Sequence, residues 1–90
     1  MIDREHSPVG WALPMYELDD AHEHLGNLLK HMQERSDFDE IEFRIELGHV
    51  YAHLNRAWFR RNVHEDFAAS KRDAAWEIAT QFPTDLEPVG

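Results

Sequence analysis

The chain contains no cysteine, so neither a disulfide bond nor a thiolate metal site can form. The absence of cysteine also fits a reducing cytoplasm, where we expect the protein to reside. The first residues lack a basic region followed by a long apolar run, so no signal peptide is visible. All apolar runs are short, and we therefore expect no membrane-spanning helix.

Basic residues are scarce: nine lysines and arginines stand against eighteen acidic residues, which gives a net charge of −9. Phosphate backbones and anionic lipids repel such a chain, so we expect it to bind neither nucleic acid nor membranes. The charge is uneven, since residues 1–46 carry −8 and residues 47–72 carry +3. This contrast predicts that the acidic first half and the basic middle pack against each other.

Glycine and proline number only four each, and apolar residues recur between them at three- and four-residue steps. That period is typical of amphipathic helices. Pro14 suits the first turn of a helix, because its missing N–H has no partner there. The pattern predicts an irregular arm over residues 1–13, helices over residues 14–36, 37–61 and 63–82, and a short tail over residues 83–90. The apolar side of the first helix comprises Leu18, Ala21, Leu25, Leu28, Leu29 and Met32.

The connection between the first two helices is predicted to be short. Ser36 or Asp37 can cap the second helix, and Asp39 or Glu40 then completes a capping box three residues later. A connection of two or three residues makes successive helices antiparallel. We find no strand pattern or internal repeat. The sequence therefore predicts one all-α domain over residues 1–90, a three-helix bundle built on a long antiparallel helical hairpin.

A polar stripe accompanies the apolar side of each of the first two helices. Folding the hairpin at its turn brings together residues whose numbers sum to about 73, since positions on antiparallel helices run in opposite directions. This register pairs Glu17 with Arg56, Asp20 with His53, His24 with His49, and His31 with Glu42. In the simplest interpretation these are solvated rim contacts, each contributing at most about 1 kcal/mol.

Four residues of this stripe support a different interpretation, a metal site. Residues four apart lie about 5–6 Å from each other on one helix face, so each helix offers two ligands. Three imidazoles and one carboxylate suit a divalent cation such as Zn²⁺. The candidate ligands are Asp20, His24, His49 and His53. The sequence also leaves open a third interpretation, in which the histidines titrate near neutral pH and change a contact.

The second helix carries another apolar line, about 160–200° from its main apolar side. A helix that is apolar on two sides has neighbours on both. The first helix is one neighbour, and either the third helix or a second copy of the chain is the other. Trp76 lies about 140° from the apolar side of its own helix, so we expect it to be exposed. The candidate interface comprises Ile41, Ile45, Ala52, Trp58, Phe59 and Trp76.

No pattern in the sequence indicates catalysis. There is no thiol nucleophile, and no serine or threonine has a histidine at a spacing typical of activation. Three short helices also leave little room for a pocket. We therefore expect a non-enzymatic interaction or accessory module that needs no cofactor and either forms a homodimer or binds another protein. The alternative function is a helical protein that binds a divalent metal.

Overall fold

The computed structural model describes residues 1–62 and 74–90 of the chain. Within these residues every regular element is helical and no strand occurs, so the all-α prediction is confirmed. None of the described helices combines the length and the apolar character that crossing a bilayer requires. The elements are α1 (Pro8–Glu34), α2 (Glu40–Phe59), a 3₁₀ helix (Arg60–Asn62) and α3 (Ala74–Thr80).

The first helix begins at Pro8, so the prediction of an irregular arm over residues 1–13 is wrong for its second half. Pro8 occupies the first turn, where its missing N–H has no partner. Pro14 lies inside α1, where proline removes one backbone hydrogen bond and crowds the carbonyl group four residues earlier. Leu13 and Pro14 are both buried. We attribute the continuation of the helix through Pro14 to this burial.

The connection between α1 and α2 is longer than predicted, because the cap of α2 is Asp39 and not Ser36 or Asp37. The Asp39 carboxylate accepts a hydrogen bond of 2.9 Å from the amide of Glu42. The Glu42 side chain does not complete a capping box, because it accepts two hydrogen bonds of 2.6 and 2.9 Å from Arg35. The Arg35 guanidinium thus ties the end of α1 to the first turn of α2.

The predicted third helix lies only partly within the described residues. Residues 63–73 of that prediction are outside them, and α3 then covers Ala74–Thr80. The helix ends two residues before the predicted position 82, and Gln81 closes a last turn through a 3.2 Å hydrogen bond from its amide to the Ile78 carbonyl. Residues 83–90 form no helix or strand, as predicted for the tail.

The buried apolar core is small. Seven apolar residues are buried in the described part of the chain, while eighteen large apolar residues are exposed. A single chain therefore leaves most of its large apolar side chains in contact with water, which is unusual enough to call for an explanation. The buried apolar residues are Ile2, Leu13, Ala21, Leu28, Val50, Ala57 and Ala79.

The contact between α1 and α2, which we call the seam, positions the polar side chains. Residues further along α1 meet residues that come earlier in α2. In this order the pairs are Glu17 with Arg56, His24 with His49, His31 with Glu46, and Arg35 with Glu42.

Candidate functional site at the seam

A buried carboxylate, Glu17 on α1, lies at the centre of a charged cluster. Both of its oxygens accept from Arg56 Nε, at 3.2 and 3.0 Å. Arg60 Nη1 lies 3.4 Å from Oε1, and His53 Nδ1 lies 3.0 Å from Oε2. The predicted pairing of Glu17 with Arg56 is thus present. The role of Arg60 was not predicted, and its place one helical turn beyond Arg56 was the available signal.

The Glu17 cluster extends through Arg56 to α3. Arg56 Nη1 donates a 2.9 Å hydrogen bond to Thr80 Oγ1, and the adjacent Asn55 donates one of 2.9 Å to the Thr80 carbonyl. Glu17 is 6% exposed and Arg56 7% exposed, so these charges are compensated by each other and not by water. The cluster therefore joins α1, α2 and α3 at one end of the molecule.

Trp76 on α3 covers the guanidinium groups of this cluster. The centre of its ring lies 4.2 Å from Arg56 Cζ and 5.0 Å from Arg60 Cζ, within the range of cation–π contacts. Trp76 is half-buried, so the expectation that it is exposed is wrong. The expectation was based on the position of Trp76 on α3, which is away from the apolar side of that helix. The side chain is covered because arginines of α2 and of the 3₁₀ helix contact its ring.

Three imidazoles lie together along the seam, next to the charged cluster. The His24 ring centre is 5.4 Å from that of His49 and 5.1 Å from that of His53, with interplanar angles of 63° and 21°. His49 and His53 share a face of α2 because they are one turn apart, and α1 brings His24 against both. His24 and His53 are half-buried, and His49 is exposed.

Asp20, the fourth predicted ligand, is exposed on α1. The predicted pairing of Asp20 with His53 is replaced by the contact between His53 and Glu17. Asp20 nevertheless lines the same cavity of about 390 Å³ as Glu17 and His53. Within the described ranges, no three His, Asp or Glu side chains are placed to hold a metal ion. The predicted ligands are therefore close to each other without forming a coordination sphere.

The predicted partner of His31 is wrong. His31 Nδ1 lies 2.7 Å from Glu46 Oε1, and not beside Glu42. Glu42 instead binds Arg35 in a bidentate ion pair, the stronger arrangement for a carboxylate. The extended connection between the helices places Arg35 within reach of Glu42, which was not visible from a constant sum of residue numbers.

The predicted interface residues on α2 fall into two groups. Ile41 and Ile45 are 69% and 57% exposed, respectively. Trp58 and Ala52 are half-buried. Phe59 remains 38% exposed and lines a cavity of about 410 Å³ with residues of α3 and of the chain after it. The second apolar line is therefore most exposed at Ile41 and Ile45, near the N-terminus of α2, and less exposed at Phe59.

Contacts with the C-terminal segment hold the Trp58 side chain. Its indole N–H donates a 2.9 Å hydrogen bond to the Asp85 carboxylate, and Arg61 Cζ lies 3.8 Å from the ring centre. Arg61 Nη2 also lies 3.1 Å from Asp85. The hydrogen bond from Trp58, together with the charge of Arg61, lowers the pKa of Asp85 below its ordinary value. Trp58 thus attaches the tail to α2.

An exposed apolar surface on α1 was not recognised from the sequence. The outer stripe, as we name it, consists of side chains that are 42–52% exposed although they belong to the predicted apolar side: Leu18, Leu25, Leu29 and Met32. Ala21 and Leu28, on the same side of the helix, are 4% and 3% exposed. The polar pairs predicted across the seam could have indicated this exposure. If polar residues of α1 contact α2, then α1 is rotated so that part of its apolar side faces away from α2.

No protein-family model matches this chain, and comparisons with curated proteins and with solved structures find no match either. The function therefore has to be inferred from the arrangement of the described residues alone.

Proposed function

We propose that this protein is a non-enzymatic helical interaction module that self-associates through the outer stripe of α1. The observation that carries the proposal is the exposure of Leu18, Leu25, Leu29 and Met32, each between 42% and 52%. At 100° per residue these four lie within an arc of about 60° and extend about 21 Å along the helix. A continuous apolar surface of this kind is typical of a contact site.

We further infer that α1 and α2 form an antiparallel hairpin and that α3 makes it a three-helix bundle at one end only. The opposite order of the paired residues along the two helices supports the antiparallel arrangement. The hydrogen bonds from Asn55 and Arg56 to Thr80 support the packing of α3 against the last turns of α2. In the first turns of α2, Ile41 and Ile45 are 69% and 57% exposed, so α3 as described over Ala74–Thr80 does not cover them.

A second copy of the chain is the partner that we propose for this surface. Two helical hairpins that pack through their apolar sides form a four-helix bundle, in which each hairpin buries the exposed apolar side chains of the other. A two-fold interface is self-complementary, so the outer stripe of one copy packs beside that of the other. Each large apolar side chain that passes from half-exposed to buried contributes on the order of 1 kcal/mol. Association thus stabilises a domain whose own core is small.

The proposal includes the absence of catalytic activity and a cytoplasmic location. The buried Glu17 carboxylate is in contact with Arg56, Arg60 and His53, and this engagement supports a structural role for it. The lack of cysteine supports a location in a reducing compartment.

Light scattering coupled to size-exclusion chromatography at micromolar concentrations tests the proposal. We expect a dimer for the native chain and a monomer for Leu29→Glu, because the new charge would be buried without a partner in the dimer. The matched control is Tyr16→Glu, since Tyr16 is 67% exposed and lies about 140° or more from the outer stripe on the same helix. Helix content measured by circular dichroism should be equal in all three. A native chain that remains monomeric, or equal masses for the two variants, contradicts the proposal.

A further inference from the structure

We propose that His24, His49 and His53 bind a divalent transition-metal ion of the Zn²⁺ class, with Glu17 as the residue that orients His53. The site lies along the seam, on the polar side of α1, whereas the outer stripe lies on its apolar side. The proposal therefore does not depend on self-association.

Two of the three ring separations support a common ion. In a tetrahedral zinc site the Zn–N distance is about 2.0–2.1 Å, so two coordinated imidazoles have ring centres about 5.2 Å apart. The centre of His24 lies 5.4 Å from that of His49 and 5.1 Å from that of His53. The separations of His24 from His49 and from His53 thus match this value, and α1 and α2 bring the three histidines close to one another.

Glu17 determines which nitrogen of His53 is available to the ion. A carboxylate only accepts hydrogen bonds, so the 3.0 Å contact between Glu17 Oε2 and His53 Nδ1 favours a proton on Nδ1. Arg56 Nη2 only donates and lies 3.2 Å from the same nitrogen, so this contact favours the opposite tautomer. We assign the proton to Nδ1 because the contact with the carboxylate is the shorter one. In the neutral ring, Nε2 then carries the lone pair. A carboxylate that accepts from the second nitrogen of a ligand histidine is the usual outer shell of such sites.

The rings must turn before they can coordinate, because no three side chains of the described residues are placed to hold an ion as they stand. No hydrogen bond within the described residues holds the ring of His24 or His49, and their contacts are between rings. Rotation about χ1 and χ2 is therefore open to both. The exposure of His49 also gives an ion access from solvent.

The ligand chemistry determines the class of metal. Imidazole nitrogens favour Zn²⁺, Ni²⁺, Cu²⁺ and Fe²⁺ over Mg²⁺ and Ca²⁺, which prefer oxygen ligands. A fourth position is left for water or for Asp20, which lies one turn before His24 and lines the same cavity as His53. The proposed centre is thus a His₃ site with one position open.

Titration of the metal-free full-length chain with ZnCl₂, followed by isothermal calorimetry, tests the site. We expect one Zn²⁺ per chain and a higher melting temperature with Zn²⁺ than without it. His24→Gln and His49→Gln should each lower the affinity by more than about tenfold, since even the loss of an outer-shell partner costs about 10- to 100-fold. The control is His22→Gln, which removes an exposed histidine on another side of α1 and should bind as the native chain does. Circular dichroism establishes that each variant is folded.

Other outcomes overturn the proposal. These are a native chain that takes up no Zn²⁺, an affinity in the double variant His24→Gln/His49→Gln equal to that of His22→Gln, or a preference for Mg²⁺. The same titration on the Leu29→Glu variant separates metal binding from self-association. Nitrogen-15 NMR of the metal-free native chain tests the orienting role of Glu17, because we expect the proton of His53 on Nδ1. A proton on Nε2 removes that role from Glu17.

Discussion

The two ends of the seam reverse the usual relation between polarity and burial. At one end, the charged residues Glu17, Arg56 and Arg60 are buried and α3 covers them. At the other end, the apolar residues Met32, Ile41 and Ile45 are more than half exposed. The comparison teaches that the single chain buries charges where they are paired and leaves large apolar side chains exposed where α3 does not cover them. These exposed apolar side chains, together with the rest of the outer stripe, are available for a partner.

The largest expected effect is at the charged end. Replacing Glu17 with Ala leaves Arg56 and Arg60 buried without their anion, and the loss of one partner of a buried ion pair costs about 3–5 kcal/mol. Urea unfolding followed by circular dichroism measures it. The neighbouring exposed carboxylate is the control, and Asp19→Asn should change the stability by no more than about 0.5 kcal/mol. Equal stabilities for the two variants would mean that the charged cluster does not hold the helices together.

Two adjacent leucines of α1 provide a sharper comparison within one helix. Leu28 is 3% exposed and Leu29 is 52% exposed. The same substitution at the two positions therefore compares a core residue with a residue of the outer stripe. We expect Leu28→Ala to lower the free energy of unfolding by about 2–5 kcal/mol at any protein concentration. Leu29→Ala should lower it mainly at concentrations where the native chain is a dimer. Unfolding curves at low and high protein concentration separate these effects, and equal losses at low concentration would contradict the assignment of the two residues.

The smallest effect concerns the attachment of the tail by Asp85. The hydrogen bond from Trp58 lowers the pKa of Asp85 below the ordinary 3.8. A carboxylate whose pKa is lowered by folding stabilises the folded contact above its unfolded pKa, and the contact is lost as the pH falls through the folded value. We therefore expect the contact to persist at pH 3.8 and to be released only below it.

The indole N–H resonance of Trp58, assigned with the Trp58→Phe variant, reports this release. In Asp85→Asn the resonance should no longer follow a carboxylate titration in this pH range, because the titrating group is absent. A native resonance whose titration has its midpoint at or above pH 3.8 would show that Trp58 does not stabilise the ionised Asp85.

Two contacts of the candidate site could be predicted, because facing positions of two antiparallel helices have residue numbers with a nearly constant sum. A residue sum of 73 correctly joins Glu17 with Arg56 and His24 with His49. The same sum fails for His31, which contacts Glu46. The connection is longer than predicted, and Glu42 forms its ion pair with Arg35. The sum therefore holds for the two pairs farther from the turn and fails for the pair nearer to it.

The start of α1 illustrates a different limit. Pro8 and Pro14 both satisfy the local rule for the first turn of a helix, and the local rule alone favours the later one, since a proline inside a helix is unfavourable. Burial of Leu13 and Pro14 is a property of the folded chain, and it reverses that preference. Trp76 shows the same limit. Its position on α3 did not indicate that the guanidinium groups of Arg56 and Arg60 contact its ring.

The sequence by itself determined that the described part of the chain is helical, because that follows from a period of 3.6 residues. It also determined two of the four predicted polar pairs across the seam, Glu17 with Arg56 and His24 with His49. Only the tertiary structure decided which part of each apolar side is buried. The α1–α2 contact runs through Ala21 and Leu28 and leaves the outer stripe exposed. Helical periodicity specifies a face, but the line along which that face meets its neighbour depends on every other contact that the two helices make.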